Sequence, residues 1–292
     1  MKDIRIKILV TLCVSFLLAS VAYAGPSKND LVSVGFNPTQ AEVIFELDEA
    51  NVSIDTTLDN VSVGEDAGGS LTTGTNAVNV GDAAGSALTT GDNNVLVGAN
   101  AGDALTDGSD SVCIGDQACT AHAGTNTVIA IGADVLDIAT APGDGNIVIG
   151  EQAGGTGVFT GAANIVIGQG GAPALTTAAG NVLIGDAVGT AVTTGGSNVC
   201  IGDDTCTALD TGADNVVIGA QAGLGHTGTG SVIAIGKDAL LTATAAGDGT
   251  VAIGEGAMGT GVATGVNNVA IGNVAFIDNT TGTQNVVVGA AA

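Results

Sequence analysis

The chain has 292 residues, 48 of them glycine and none tryptophan, and 45% of its residues are hydrophobic. Its formal net charge of −24 excludes nucleic acid and anionic lipid as partners, because binding to phosphate needs clustered lysine and arginine. Disordered glycine-rich linkers lack such an apolar fraction, so the composition indicates a folded, acidic repeat protein.

Residues 1–24 have the features of a secretory signal peptide. Basic residues open the segment, an apolar run extends from Ile8 to Ala19, and residues 22–24 read Ala-Tyr-Ala, a small-x-small cleavage site. A retained membrane anchor needs about 20 apolar residues, and this run is shorter. We therefore expect a secreted chain that begins near Gly25, with two lysines against 28 carboxylates and a net charge of −26.

Residues 25–59 precede the regular repeat and are predicted to cap it. Their segment 41–47 is an apolar-rich strand with Val43, Ile44 and Phe45 at its centre. A solenoid needs a cap because a terminal coil otherwise exposes a row of unpaired backbone groups. The same strand is a candidate donor for β-strand addition to another subunit, whose acceptor edge would be Val286, Val287 and Val288.

Residues 60–292 repeat one short strand, Val-x-Ile-Gly, and its close variants. The interval between successive strand glycines is always 17 or 18 residues. Helix-pair repeats and propeller blades need roughly 34 and 40 residues, so this period favours one coil of a β-solenoid. The predicted fold class is all-β, a parallel β-solenoid of about fourteen coils. The strand glycines are Gly64, Gly81, Gly98, Gly115, Gly132, Gly150, Gly168, Gly185, Gly202, Gly219, Gly236, Gly254, Gly272 and Gly289.

Several positions of the coil carry the same kind of residue throughout the repeat. Asparagine lies four residues before the glycine in nine coils, which predicts a ladder of side-chain hydrogen bonds along the rod. The glycine is expected at a tight corner with positive φ. Seven residues after it, six coils place an inward-facing leucine or valine. His122 and His226 occupy that position, so a structural role is favoured over a catalytic one.

The residue between the strand's valine and isoleucine is apolar or cysteine in twelve of fourteen coils. Because side chains alternate along a strand, this residue and its two neighbours face opposite sides of the sheet. We expect the valine and isoleucine to face the interior. The middle residues would then form an outer stripe that another copy covers, since an exposed apolar stripe favours association. The predicted self-association stripe contains Leu96, Val148, Val166, Leu183, Val217 and Val287.

The four cysteines of the repeat form two close pairs, Cys113 with Cys119 and Cys200 with Cys206. The pairs lie five coils apart, roughly 24 Å at the strand spacing, which excludes one shared metal site or crossed bridges within a chain. We expect two local disulfides formed in an oxidising compartment. Reduced core cysteines and interchain bridges are the alternatives.

Residues 181–185 (Asn-Val-Leu-Ile-Gly) and 268–275 (Asn-Val-Ala-Ile-Gly-Asn-Val-Ala) resemble the head-domain repeats of trimeric autotransporter adhesins. Similar repeats occur in phage tail-fibre-like β-roll proteins. The resemblance covers about residues 60–292 and implies a left-handed parallel β-roll, three chains side by side and a role in extracellular adhesion. The coils of this chain are longer than the commonest adhesin-head repeat.

Catalytic motifs are absent from the sequence: neither histidine has a motif partner, and no glycine-rich run leads into Lys-Ser or Lys-Thr. We therefore expect a secreted, non-enzymatic structural protein without cofactor or metal, forming an extracellular fibre or adhesin-like surface structure. Its expected partners are copies of itself, in a lateral homo-oligomer such as a trimer or in a head-to-tail polymer, and a host or cell-surface receptor. The alternative is a ligand-binding module for calcium, glycan or ice.

Overall fold

The computed structural model describes residues 52–120, 127–137, 143–154, 159–228, 230–242, 248–260, 265–276 and 281–291. The predicted signal peptide and the segment 41–47 lie outside these ranges. All regular secondary structure within them is β-strand. The strands are β1 (Val52–Asp55), β2 (Asn60–Val63), β3 (Val78–Val80), β4 (Val95–Val97), β5 (Val112–Ile114), β6 (Val128–Ile131), β7 (Asn146–Ile149), β8 (Ile165–Ile167), β9 (Val182–Ile184), β10 (Val199–Ile201), β11 (Val216–Ile218), β12 (Val232–Ile235), β13 (Thr250–Ile253), β14 (Val269–Ile271) and β15 (Val286–Val288).

The strands form one sheet in which each strand pairs with the next in sequence, from β1 to β15. From β2 onward all pairs are parallel, and each residue pairs with the equivalent residue of the next coil, as Cys200 does with Val217. This arrangement confirms the predicted parallel β-solenoid. The strand β1 is antiparallel to β2, with Val52 opposite Val63, and covers the first edge of the parallel array.

From β2 onward, each strand is followed by a glycine whose φ lies between 130° and 153°, which L side chains rarely adopt. A Cβ on Gly185 would overlap the carbonyl oxygen of Gly202 in the next coil. The glycine thus allows the chain to turn a corner while consecutive coils remain in contact. The predicted role of the strand glycine is confirmed.

The asparagine ladder is present as predicted. The Oδ1 atom of Asn181 accepts hydrogen bonds from the backbone N–H of Asn198 at 2.9 Å and from its Nδ2 at 3.1 Å. The Nδ2 of Asn198 also donates to the carbonyl of Gly212 at 2.8 Å. Equivalent bonds connect Asn146 through to Asn215, so buried amide groups bond the coils along the rod axis.

The middle residue of each strand faces the interior, so the predicted orientation of the strands was wrong. Leu96, Val148, Val166, Leu183 and Val217 are 0% exposed within a single chain. Val287, in the last described coil, also packs against the core. The reason is the alternation of side chains along a strand. The asparagine lies four residues before the glycine and the middle residue two residues before the glycine, so both point to the same face of the sheet. Since the asparagines are buried, the middle residues are buried with them, and the flanking valines and isoleucines point outward.

In each coil, the residue four positions after the strand glycine lies opposite the middle residue of the strand and forms the other wall of the interior. Where the strand residue is large, this position is glycine or, opposite Val166, alanine, and a Cβ on Gly189 would lie 3.2 Å from the Cδ1 of Leu183. Where the strand residue is alanine, the opposite residue is large. The two side chains of a pair therefore share the space between the sheet and the opposite wall, and a larger side chain on one side is matched by a smaller one on the other. The pairs include Leu96–Gly102, Val148–Gly154, Leu183–Gly189 and Val217–Gly223, and conversely Ala130–Leu136, Ala234–Leu240, Ala252–Met258 and Ala270–Phe276.

The two predicted disulfides occupy this same pair of positions. Cys113 is bonded to Cys119 and Cys200 to Cys206, with Cα–Cα distances of 6.1 and 6.2 Å. All four side chains are buried. Each disulfide therefore connects the sheet to the opposite wall within one coil, and the prediction of two local bridges is confirmed.

We expect the interior pair to be exchangeable as a unit. Leu183→Ala leaves a cavity and should lower the free energy of unfolding by about 3 kcal/mol. Gly189→Leu alone overpacks the coil and should cost about 2 kcal/mol. The double variant reproduces the pair Ala130–Leu136, so it should recover most of the stability in a double-mutant cycle measured by urea denaturation. Simple additivity of the two losses would contradict the shared interior volume.

Candidate functional site

The outer face of the sheet carries two columns of β-branched side chains. They are the residues on either side of each buried middle residue, and every one is valine or isoleucine from β2 to β15. We call this surface the Val/Ile face. Its members are Val61, Val63, Val78, Val80, Val95, Val97, Val112, Ile114, Ile129, Ile131, Ile147, Ile149, Ile165, Ile167, Val182, Ile184, Val199, Ile201, Val216, Ile218, Ile233, Ile235, Val251, Ile253, Val269, Ile271, Val286 and Val288.

The Val/Ile face is partly exposed along the whole rod. Neighbouring rows shield each other's sides, yet Ile233 is still 39% exposed and Ile271 38%. In β1, Val52 and Ile54 pair with Val63 and Val61 and add a further row. None of these side chains carries a hydrogen-bond donor or acceptor, so the face can take part only in apolar contact.

An exposed acidic column follows the Val/Ile face along one edge. The column is formed by the residue directly after each strand glycine. Among the described residues, its one cation is Lys237, whose Nζ lies 3.8 Å from the Oδ2 of Asp238. Like charges in successive coils repel each other but remain hydrated. Within the described ranges, no group of three or more His, Cys, Asp or Glu is arranged to hold a metal ion. The acids of the column are Glu65, Asp82, Asp116, Glu151, Asp186, Asp203 and Glu255.

Threonine hydroxyls on another side of the rod bond one coil to the next. The Oγ1 of Thr72 donates to the carbonyl of Thr89 at 3.0 Å, and the Oγ1 of Thr89 donates to that of Thr106 at 2.8 Å. Thr176 makes the same contact with Thr193. These hydroxyls hold neighbouring coils together, which is a structural use of these threonines.

The structure separates the residues that the sequence predicted as sites. The four cysteines form disulfides, and the predicted self-association stripe lies inside the coil. The strand-addition residues Val43, Ile44 and Phe45 fall outside the described ranges. Val286 and Val288 are 72% and 70% exposed, since β15 pairs only with β14.

Among the described residues, no helix has the length and apolarity needed to cross a bilayer.

Sequence reasoning missed the Val/Ile face, although two signals in the sequence pointed to it. One is the parity between the asparagine and the middle residue, which places both on one side of the strand. The other is the inverse relation of size between the middle residue and the residue four after the glycine. Such a relation is expected only of residues that pack against each other across an interior, because they share a limited volume.

Neither a protein-family model nor a curated protein matches this chain.

His226 is the described histidine, and it lies in the interior at the position of Leu209 one coil earlier. Its side chain is 1% exposed, and neither ring nitrogen has a hydrogen-bond partner among the described residues. Burial lowers the pKa of His226 from 6.5 to about 4, and this effect is larger than the opposing influence of the nearby Gly230 backbone. The imidazole is neutral at pH 7 and enclosed, consistent with the predicted packing role. His122 lies outside the described ranges.

We expect His226→Leu to stabilise the rod by about 1–2 kcal/mol at pH 7, because leucine fits this position and leaves no buried polar atom without a partner. In the wild type, the unfolded chain binds a proton near pH 6.5 and the folded chain only near pH 4. The contribution of neutral His226 to the free energy of unfolding is therefore fully present above pH 6.5. It decreases as the pH falls towards 4, by up to about 3 kcal/mol.

The advantage of His226→Leu over the wild type should therefore grow as the pH falls from 6.5 to 4. Denaturation curves of both proteins across this range measure the difference, in which the titration of the common carboxylates cancels. A pH-independent difference would contradict the burial of a neutral imidazole.

Proposed function

We propose that this protein is a secreted, non-enzymatic structural subunit that self-associates into an extracellular fibre or an adhesin-like surface structure. The observation that supports this proposal most directly is the continuous sheet of fifteen strands. Such a sheet makes a long rod of constant cross-section, in which function depends on surface and length rather than on a cleft.

The bonding along the rod axis suits a structural role. Within the described residues, backbone hydrogen bonds connect each coil to the next, and the asparagine ladder and threonine hydroxyls add further bonds between many of the coils. In such a solenoid the coils contact only their neighbours, so stability accumulates from one interface to the next. A force that pulls the coils apart along the rod axis therefore has to break several hydrogen bonds between two coils at the same time.

An extracellular location is supported by three observations of different kinds. The disulfides Cys113–Cys119 and Cys200–Cys206 are compatible with an oxidising compartment. Residues 1–24 have the pattern of a signal peptide, and the strand pattern resembles adhesin-head repeats. A surface role follows from these features together, with other copies of the chain and a cell-surface receptor as partners.

Among the described residues, the placement of the histidine and the cysteines is consistent with a non-enzymatic role. His226 is enclosed, and the four repeat cysteines are bonded and buried. The outer sheet face offers only hydrocarbon.

The test is to express the full chain in a secreting bacterial host, beside a matched variant that lacks residues 2–24. We expect the full chain in the extracytoplasmic fraction, with a new N-terminus near Gly25 by mass spectrometry and rods of roughly 65 Å by electron microscopy. Its mass by light scattering should exceed that of one chain. Retention of both proteins in the cytoplasm, or a monomer at all concentrations, would contradict the proposal.

A further inference from the structure

We propose that the Val/Ile face docks against the Val/Ile face of a second copy of this chain, so that two rods pack sheet to sheet along their length. This inference rests on the proposed self-association and specifies its surface. It replaces the predicted stripe of middle residues, which are enclosed within each coil.

The size of the Val/Ile face is that of a stable interface. Fourteen strands about 4.8 Å apart give a length of roughly 65 Å, and two side-chain columns give a width of about 12 Å. The resulting area is about 800 Å² per chain, which matches the share of one partner in a standard-sized protein interface. An apolar surface of this extent is unusual on a protein that remains monomeric.

The spacing of the rows favours a second copy over an unrelated partner. The side chains repeat with the strand spacing through every coil from Val61 to Ile271, and the register never shifts. A partner that fills the grooves between rows must carry rows at the same spacing over the same length. Another copy of the chain has the same row spacing and the same length, and a two-fold axis between the two copies makes the contact self-complementary.

The chemistry of the face also argues against polar occupants. A glycan or a nucleic acid would lose hydration there without gaining a hydrogen bond, since valine and isoleucine offer none. A peptide that joins a sheet binds at its edge through backbone groups, not on its face. The acidic column remains at the solvated margin of the paired sheets, so added salt should screen its repulsion and strengthen association.

Substitution of valine by threonine provides a sharp test, because threonine keeps the shape and the β-branching but adds a hydroxyl. The face variant carries Val182→Thr, Val199→Thr and Val216→Thr in three successive coils. These residues are partly exposed in one chain, so the fold should persist, whereas pairing would bury hydroxyls without partners. The matched control makes the reverse change away from the strands, at the exposed residues Thr177→Val, Thr194→Val and Thr211→Val.

Analytical ultracentrifugation of the full mature chain measures the dissociation constant of each protein. We expect the face variant to raise this constant about tenfold or more and the control to leave it unchanged. Thermal unfolding at concentrations where all proteins are monomeric should give the same midpoint within a few degrees. If the triple variant does not fold, Ile233→Lys at a more exposed row replaces it, with the same expected loss of association.

The outcomes separate the two proposals. Equal association of the wild type and the face variant would overturn docking through the Val/Ile face while leaving self-association intact, and would favour addition at the rod ends. A wild type that stays monomeric throughout would overturn self-association itself.

Discussion

The close approach of successive coils at the strand glycine is the constraint on which the rest of the rod depends. At this corner the backbone of one coil lies against that of the next, and a Cβ on Gly98 or Gly219 would overlap the neighbouring coil. Glycine alone permits both this contact and the positive φ of the turn. Because the corner recurs in every coil, the strands are held in register, and the asparagines stack closely enough to bond.

Register has a second consequence inside the coil. Once the sheet and the opposite wall are at a set distance, two side chains must share one volume in every coil. Leucine with glycine, alanine with leucine, alanine with phenylalanine and a disulfide are four solutions to the same packing problem. The cysteine pairs are therefore part of the interior packing as well as covalent bridges, and disulfide-free coils of the same shape lie on either side of them.

Outside the coil, the same register creates an extended apolar surface that a single chain leaves exposed. Valine and isoleucine are favoured there because β-branched side chains suit an extended strand, and the half-burial of each row by its neighbours reduces the cost of exposure. The acidic residues at one edge supply charge that opposes unlimited aggregation. An apolar face with a charged margin suits the proposed self-association, which would be limited in extent and directional.

The sequence by itself determined the repeat, its period, the parallel solenoid, the corner glycines, the asparagine ladder and the two disulfides. These features follow from spacing and from local backbone chemistry, which the order of residues records directly. Only the tertiary structure decided which face of the strand is inside. In a three-residue strand that is apolar at every position, such as Val182-Leu183-Ile184, hydrophobicity does not distinguish the two faces. The decision depends on contacts across the coil, where Leu183 meets Gly189 and Asn181 bonds to the neighbouring coils, and such contacts exist only once the chain has wound into its coils.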